Sequence, residues 1–517
     1  MIRYKSPSQL SIEEFKTPFE RDLRPDNRWV KLSNVIPWDD IAHIYCKKMS
    51  TKMGAPSKDA RVVIGAIIIK HKLNLSDEET VLQIQENPYL QYFLGYSNYD
   101  DSAPPFVPEL FVSIRKRLGI EEFKEMNDVI IKKAFEKQKN KPKKSDKQGD
   151  TNKNEIAKSK SEKIQDTSTN QDHKGKLIFD ATVAEQSIKY PNDLELLNDS
   201  REISEQLIDE LYKQLKLGKK PRTYRIKARK DFLATIKKKR KTRKEIRYSI
   251  RKQLNYLKRN FGHIESMLNT ADNQNFLLKA MAQRQYWIIQ HIFSQQNYMF
   301  TNRTNTCKDR ITSIHQPHVR PIVRGKQSKK TEFGSKLGVS LCEGYASLDH
   351  ISWDNYNEGS DLVLHVENYR NRFGYYPEIV LADNIYGSKV NREYLKSLGI
   401  KYGGKPLGRP KKITEENKEQ IAKERCERKK TYRERIPIEG KFGQGKNGYR
   451  LNYIRAKLKD TSESWISSIF FVMNIVNFTK QTEKLKNWLF SQFRNWLIHL
   501  KIFLNYKNYL HFLYIGS

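Results

Sequence analysis

The chain has 517 residues, more than one hydrophobic core usually serves, so about two or three domains are expected. It carries 96 Lys and Arg against 60 Asp and Glu, a formal net charge of +36. Such a basic protein typically meets a polyanion, and nucleic acid fits better than a membrane, because the charge is spread along the chain. The four scattered cysteines argue against a disulfide framework or a zinc finger and fit a reducing cytosol.

No membrane segment is predicted. The N-terminal residues lack the apolar stretch of a signal peptide. Four charged or titratable side chains, at positions 494, 499, 501 and 507, interrupt the apolar C-terminal stretch. We therefore expect a cytoplasmic protein.

Residues 1–137 are predicted to form a helical N-terminal domain. An apolar run, VVIGAIII, precedes Ser76 and Glu79, which have the spacing of a capping box, and Pro88 stands at the start of a further short helix. Short helices joined by tight turns are typical of a helix-turn-helix-like DNA-binding module and equally of an ordinary bundle. Because of the charge, we interpret the region as DNA-binding.

Residues 138–175 have few apolar side chains and many charged ones. Such a segment cannot bury a core, and a flexible charged linker is predicted.

A buried strand is predicted at residues 176–186, ending near Asp180, and a basic helical segment follows at about 198–310. Within it, residues 213–259 hold 21 Lys or Arg and two acids. Like charges this dense repel each other unless a polyanion lies nearby. A basic helical hairpin on DNA is one interpretation and a disordered basic tract the other; the interleaved Leu, Ile, Tyr and Phe favour the hairpin.

The rest of the chain alternates between strand and helix patterns, which indicates an α/β core with a mixed sheet flanked by helices. Strands are predicted at 333–353, 378–383 and 400–404, and helices near 361–373, 391–400 and 462–479. The final residues, 481–517, are rich in aromatic side chains and are predicted to form a helical tail.

Three acids are candidates for one site. Asp180 and Asp383 each follow a short apolar run, and ligand sites gather at the carboxyl ends of strands in α/β sheets. Glu439 lies on a predicted helix that could pack across the sheet. Three carboxylates together need a cation, and Mg²⁺ suits oxygen ligands and phosphates. Two such ions can activate a hydroxyl and stabilise the leaving oxygen of a phosphodiester.

Glu439 also belongs to a stripe of polar residues. Tyr432, Arg435, Glu439 and Lys446 are spaced by three, four and seven, which places them on one helical face. Pro437 could instead mark the helix start, which would put the first two on the entry turn. An ion-pair face is one interpretation, and a carboxylate for a metal beside cations for phosphates is the other.

Two smaller features carry less weight. Arg409 lies in a Gly-Arg-Pro-Lys-Lys segment that resembles the core of an AT-hook, a minor-groove binding element, although a solvated basic loop explains it as well. His315 and His318 have no partner at zinc-site spacing and are interpreted as structural or DNA-contacting.

The polar stripe resembles the Y-R-E-K signature of the bacterial insertion-sequence transposases of the four/five superfamily, in its family-five-like group. Asp383 in LADNIYG resembles the second aspartate of these DDE enzymes, and Asp180 in FDATVAEQ resembles the first. The resemblance covers most of residues 30–480. Asp180 and Asp383 are 203 residues apart and Asp383 and Glu439 only 56, so the basic segment would be an insertion between the two aspartates.

The resemblance implies a fold and an activity. The fold would be an RNase H-like catalytic domain at 176–480. Asp180, Asp383 and Glu439 would hold two Mg²⁺ ions, with Mn²⁺ a possible substitute. Tyr432, Arg435 and Lys446 would contact DNA near the scissile phosphate, and Arg409 is added as a further DNA contact.

The implied substrates are the terminal inverted repeats of the element and target DNA. The enzyme would cleave at the element's ends and join the 3′-hydroxyls to the target. It would act as a homodimer in the DNA complex, associated with the bacterial nucleoid when DNA-bound. The alternatives left open are a metal-dependent nuclease with the same core and a non-catalytic DNA-binding protein.

Overall fold

The computed structural model describes most of the chain. The described residues are 15, 22–47, 49, 57–139, 173–270, 277–323, 331–409, 413–415 and 417–515, without the side chains of 138, 139, 492, 493 and 495–515. Most of the predicted linker, residues 140–172, lies outside them.

The described N-terminal region is helical, as predicted. Side-chain caps explain several boundaries: Asp59 accepts the N–H of Arg61, and Ser76 accepts that of Glu79. The seven helices are α1 (Arg28–Ser33), α2 (Trp38–Cys46), α3 (Ala60–Leu73), α4 (Asp77–Glu86), α5 (Pro88–Phe93), α6 (Leu110–Arg117) and α7 (Ile120–Lys139).

A mixed six-stranded sheet follows, which confirms the predicted α/β class. The strands are β1 (Lys176–Glu185), β2 (Arg320–Val323), β3 (Thr331–Cys342), β4 (Tyr345–Ser352), β5 (Ile379–Leu381) and β6 (Lys401–Tyr402). Their order is β2-β3-β1-β5-β6, and β4 also pairs with β3. The β1 strand is antiparallel to β3 and parallel to β5.

The predicted end of the first strand is wrong. The β1 strand continues five residues past Asp180 to Glu185, because its whole second half pairs with β3, from Asp180 opposite Val339 to Glu185 opposite Gly334. Buried and less buried side chains alternate as far as Ala181, and residues 181–184 are all buried. Asp180 therefore lies in the middle of a strand.

Four helices pack on the sheet; the first two lie between strands in the sequence, and the last two follow β6. They are α12 (Leu362–Phe373), α13 (Lys389–Ser397), α14 (Lys418–Gly443) and α15 (Lys459–Ile515). Single turns of 3₁₀-helix lie at Glu358–Asp361 and Asn384–Tyr386, and a π-helical turn at Gln444–Gly448 follows α14. The α15 helix passes without a break through residues 480 and 481.

The N-terminal helices and the sheet share one hydrophobic core. A single cluster of buried side chains includes members of α1–α7, β3, β4 and α15. Phe123 of α7 and Phe471 of α15 pack in it with ring centroids 5.8 Å apart. A second cluster, on the other side of the sheet, contains Phe179 and Tyr386.

The basic segment between β1 and β2 forms a separate helical bundle. Its helices are α8 (Asp193–Leu215), α9 (Arg225–Ile236), α10 (Arg243–Asn269) and α11 (Ala280–Thr301). Apolar side chains of α8, α10 and α11 form its own core. Within the described residues, no helix is both long enough and apolar enough to cross a membrane.

Candidate active site

The sheet brings Asp180 and Asp383 to matching positions on neighbouring strands. Ile178 of β1 pairs in parallel register with Leu381 of β5, and each aspartate lies two residues further along its strand direction. Residues two apart in extended chain point to the same face. The two aspartates therefore lie near each other at the carboxyl end of β5, close enough for the charge of Asp383 to raise the pKa of Asp180.

Several contacts fix the turn that carries Asp383. Its carboxylate accepts the N–H of Asn384 at 2.7 Å, and its carbonyl accepts the hydroxyl of Tyr402 at 3.0 Å. Tyr386, fully buried, packs edge-on against Phe179 at 4.9 Å. The turn is thus anchored to β6 and to the core beneath β1.

Asn391, which the sequence reasoning did not single out, links this turn to a second one. Its buried amide nitrogen donates to the carbonyls of Gly359 at 2.7 Å and Tyr386 at 2.8 Å. A Cβ on Gly359 would lie 2.7 Å from the carbonyl oxygen of Ile385, so the two turns touch. Tyr386, in the sequence DNIYG, was the feature that could have indicated a buried anchor at this turn.

The α14 helix carries the signature residues and packs across the sheet. It begins at Lys418, so Pro437 lies inside the helix and does not start it. Gly403, just after β6, allows the close approach, because a Cβ there would lie 2.5 Å from Leu381 and 2.6 Å from Thr431 of α14. The IKYGG segment therefore sets the distance between α14 and β5.

Arg435 joins two of the predicted acids. Its guanidinium donates to Asp180 Oδ2 at 3.2 Å and to Glu439 Oε1 at 2.8 Å. The Arg435 side chain is 11% exposed, whereas Glu439 is 52% exposed. The ring of Tyr432 lies 5.4 Å from the guanidinium. The structure therefore brings Tyr432, Arg435, Glu439 and Asp180 together, with Asp383 beside Asp180.

Burial and the neighbouring charges shift the pKa values of Asp180 and Arg435. Burial raises the pKa of the Asp180 carboxyl, and the negative charges of Glu358 and Asp383 raise it further, against the Ala181 N–H and Arg435, which lower it. Burial opposes the charge of Arg435, yet its pKa is raised because Tyr432 and the three acids stabilise the cation. An additional positive charge nearby would therefore stabilise the ionised form of Asp180.

Lys446 does not lie on the helical face that its spacing from Glu439 predicted. It lies on the π-helical turn after α14, and the extra residue per turn ends the regular helical face at Gly443. The expectation of one continuous face is wrong for Lys446. Asn74, the left-handed C-terminal cap of α3, donates its amide N–H to the carbonyl of Gly448 at 2.8 Å. The N-terminal helices thus hold the turn that carries Lys446.

Other predicted residues lie outside this cluster or have structural contacts. Arg409 is exposed, and the other basic residues of the AT-hook-like segment lie outside the described residues. His318 packs against Trp353 at 4.4 Å, and burial lowers its pKa to about 4. Among the residues that the structure describes, no group of three or more His, Cys, Asp or Glu is arranged to hold a metal ion.

Comparison with known proteins adds family matches at two places. Residues 380–476, which contain Asp383 and the signature helix, match the family described as "Transposase DDE domain". Residues 17–117 match the family described as "Transposase domain (DUF772)". No solved structure matches the chain.

A 135-residue stretch is 28% identical to a protein of Rhizobium meliloti described as "Uncharacterized protein ORF8 in nfe locus". The stretch covers 26% of this chain and 64% of that protein, less than two thirds of the relative's length. The matches to two transposase domains, one in each half of the chain, support a DDE transposase.

Proposed function

We propose that the protein is a transposase that binds the ends of its insertion sequence, cuts the DNA there and joins the 3′-hydroxyl ends to target DNA. The observation that carries this proposal is the contact of Arg435 with both Asp180 and Glu439, beside Asp383 on the neighbouring strand. One acid on a central strand, a second after the adjacent parallel strand and a third on a crossing helix are the arrangement expected of an RNase H-like core.

The side-chain chemistry of the three acids suits Mg²⁺, with Mn²⁺ as a substitute. Asp180, Asp383 and Glu439 offer only carboxylate oxygens, the ligands that hard divalent cations prefer. Asp180 is largely buried and its pKa is raised; a bound cation would stabilise the carboxylate and lower that pKa. When bound, a pair of these ions would supply the activation of the attacking oxygen and the stabilisation of the leaving oxygen.

The chain's own side chains would bind and orient the DNA. Arg435 is a fixed, nearly buried cation whose fork of donors suits a phosphate as well as a carboxylate. Tyr432 is 61% exposed and stands at the outer side of Arg435, where it can contact a sugar or base. Lys446 would add a second cation from the turn that Asn74 holds.

The test uses DNA that carries the inverted repeats expected beside the coding region. Asp180→Asn, Asp383→Asn and Glu439→Gln should each abolish strand cleavage while the protein still binds the same DNA. Cleavage that survives in one of these variants removes that residue from the triad.

A second assay separates a transposase from a nuclease with the same core. Precut ends and a supercoiled plasmid are supplied with Mg²⁺, and joined products are measured. Joining by the wild type, lost in Glu439→Gln, supports the transposase; cleavage without joining favours the nuclease. Crosslinking in the DNA complex tests the proposed homodimer, since two ends must be paired.

A further inference from the structure

The hairpin formed by α9, α10 and the turn between them concentrates positive charge. Residues 225–252 include 14 Lys and Arg and two acids. In the described part of the chain, ion pairs engage three of these cations, namely Arg225 with Asp209, Lys238 with Glu245 and Lys252 with Asp231. The other cations lack a carboxylate partner there, and their mutual repulsion would be relieved by a polyanion.

The two acids of the hairpin are used to fix its shape. Asp231 of α9 accepts from Lys252 Nζ at 3.1 Å and from the Tyr256 hydroxyl at 2.9 Å, both on α10. Glu245 completes a capping box with Thr242 at the start of α10. The contact with Lys238 and the hydrogen bonds from Thr242 lower the pKa of Glu245 to about 2. The basic surface is therefore preformed, which argues against a disordered tract.

The turn between α9 and α10 lies at the end of the bundle that adjoins the sheet. Gln296 near the end of α11 donates to Asp193, the first residue of α8, at 2.7 Å. Arg247 near the start of α10 lies 3.9 Å from the ring centroid of Phe300 at the end of α11. The α8 helix leaves β1 and α11 leads back to β2, so this end of the bundle faces the domain that carries Asp180.

The surface combines cations with a few apolar and aromatic side chains. An open groove of about 560 Å³ runs along α9, lined by Ile226, Arg229, Lys230, Leu233, Ala234, Lys237 and Lys238. On α10, exposed Lys244, Tyr248 and Arg251 continue along one face. Cations and small apolar contacts suit the phosphates and deoxyribose of a DNA backbone. A membrane-binding helix would need a broad apolar face, which α9 lacks.

We propose that the α9–α10 turn and the first turns of α10 bind the sugar-phosphate backbone of duplex DNA beside the bond to be cut. The proposal rests on the proposed function for the position of that bond, but the binding itself does not require catalysis.

The experiment compares two triple variants of the full chain, both built in the Glu439→Gln background so that no cleavage occurs. The first, Lys239→Gln, Arg240→Gln and Lys244→Gln, neutralises exposed cations at the turn. The matched control, Lys213→Gln, Lys219→Gln and Lys279→Gln, removes the same charge at the opposite end of the bundle, where all three side chains are also exposed.

Fluorescence anisotropy with a 30-base-pair duplex at several salt concentrations gives the slope of log affinity against log salt. The turn variant should lower that slope by about three units, since each phosphate contact contributes about 0.9. When the salt rises from 50 to 200 mM, both proteins should lose affinity, and the loss should be on the order of 40-fold smaller for the turn variant than for the parent. The control variant should change the slope by less than one unit.

Three outcomes overturn the proposal: no change in slope for the turn variant, an equal change in both variants, or an equal loss of binding to phosphatidylserine vesicles or polyglutamate. If the turn variant does not fold, Lys239→Gln alone should still lower the slope by about one unit, and Arg240→Lys should leave it unchanged. A wild type that never cleaves DNA would refute the proposed function, while a slope difference between the two triple variants would still support the DNA-binding turn.

Discussion

The sheet that carries the candidate site and the helical insertion differ in how their charges are arranged. Around Asp180, three acids from distant parts of the chain meet, and one cation, Arg435, contacts two of them. In the α9–α10 hairpin, neighbouring cations are crowded together and two acids hold the scaffold in shape. The first region is suited to binding cations and the second to binding anions, as the proposed two-metal reaction on DNA would require.

The two regions also differ in how they are anchored, which predicts the largest effect. Phe471 lies in the core shared by the sheet and the N-terminal helices, and Leu257 lies in the separate core of the bundle. Each is fully buried, so Phe471→Ala should cost about 3–5 kcal/mol and Leu257→Ala about 2–5 kcal/mol of folding free energy.

Hydrogen exchange should show the location of these losses. Phe471→Ala should lower protection in α3, α7 and β3 together, whereas Leu257→Ala should lower it in α8–α11 and leave the sheet protected. Loss of protection throughout the chain in both variants would mean that the bundle is not a separate unit.

Arg435 tests the acid-rich region. Arg435→Ala removes the guanidinium that contacts Asp180 and Glu439 and should lower the cleavage rate on the order of 10²–10³-fold, as for loss of a preorganised donor. Arg435→Lys keeps the charge but cannot donate to both carboxylates with a planar fork. Its cleavage rate should therefore lie between those of the wild type and Arg435→Ala. Equal rates for the lysine variant and the wild type would show that charge alone matters at this position.

Asp180 should carry a stability penalty that depends on pH. Because its pKa is raised in the folded state, folded protein binds more protons than unfolded protein between the unfolded and the folded pKa values. Stability from this group is therefore lost as the pH rises through that window. Asp180→Asn should be more stable than the wild type at pH 7 in metal-free buffer, and the difference should shrink under acid conditions.

Chemical unfolding at several pH values measures that difference. A lower stability of Asp180→Asn at pH 7 would mean that the Arg435 contact outweighs the burial of the charge. Asp354→Asn is a matched control, because the Asp354 side chain is 76% exposed.

Asn74 gives the smallest predicted effect. Asn74→Gly keeps the left-handed backbone of the α3 cap and removes only the donor to Gly448, so it should cost about 0.5–1.5 kcal/mol. It should also lower DNA affinity modestly, because the turn that carries Lys446 loses a hydrogen bond that holds it in place. An Asn74→Gly variant with unchanged DNA affinity would separate the cap from the function of Lys446.

The sequence predicted much of the architecture because its signals are local. Alternating apolar runs located β3, β4 and β5, while the Ser76 cap and the first-turn proline Pro88 located α4 and α5. The predicted range 176–186 matches β1, but the end of the strand was wrongly placed near Asp180, because pairing with β3 and not the apolar run carries the strand to Glu185. The π-helical turn was missed for a similar reason: its contact with Asn74 spans 374 residues.

In the candidate site, too, local features were predictable and contacts between distant residues were not. The spacing of Tyr432, Arg435 and Glu439 indicated a shared helical face, and these three do lie together on α14. The spacing could not show that Arg435 would turn inward to Asp180, 255 residues away, or that Asn391 would link two turns near Asp383. These contacts depend on the packing of α14 and α13 against the sheet.

Metal binding tests the central claim most directly. Mn²⁺ binding can be followed by electron paramagnetic resonance in the wild type, Asp180→Asn, Asp383→Asn and Glu439→Gln, with Glu358→Gln as a control that removes a nearby acid paired with Lys336. Binding should be at least about tenfold weaker in each of the three triad variants and should change little in the control. Equal binding in all five proteins would contradict the assignment of Asp180, Asp383 and Glu439 to one metal site.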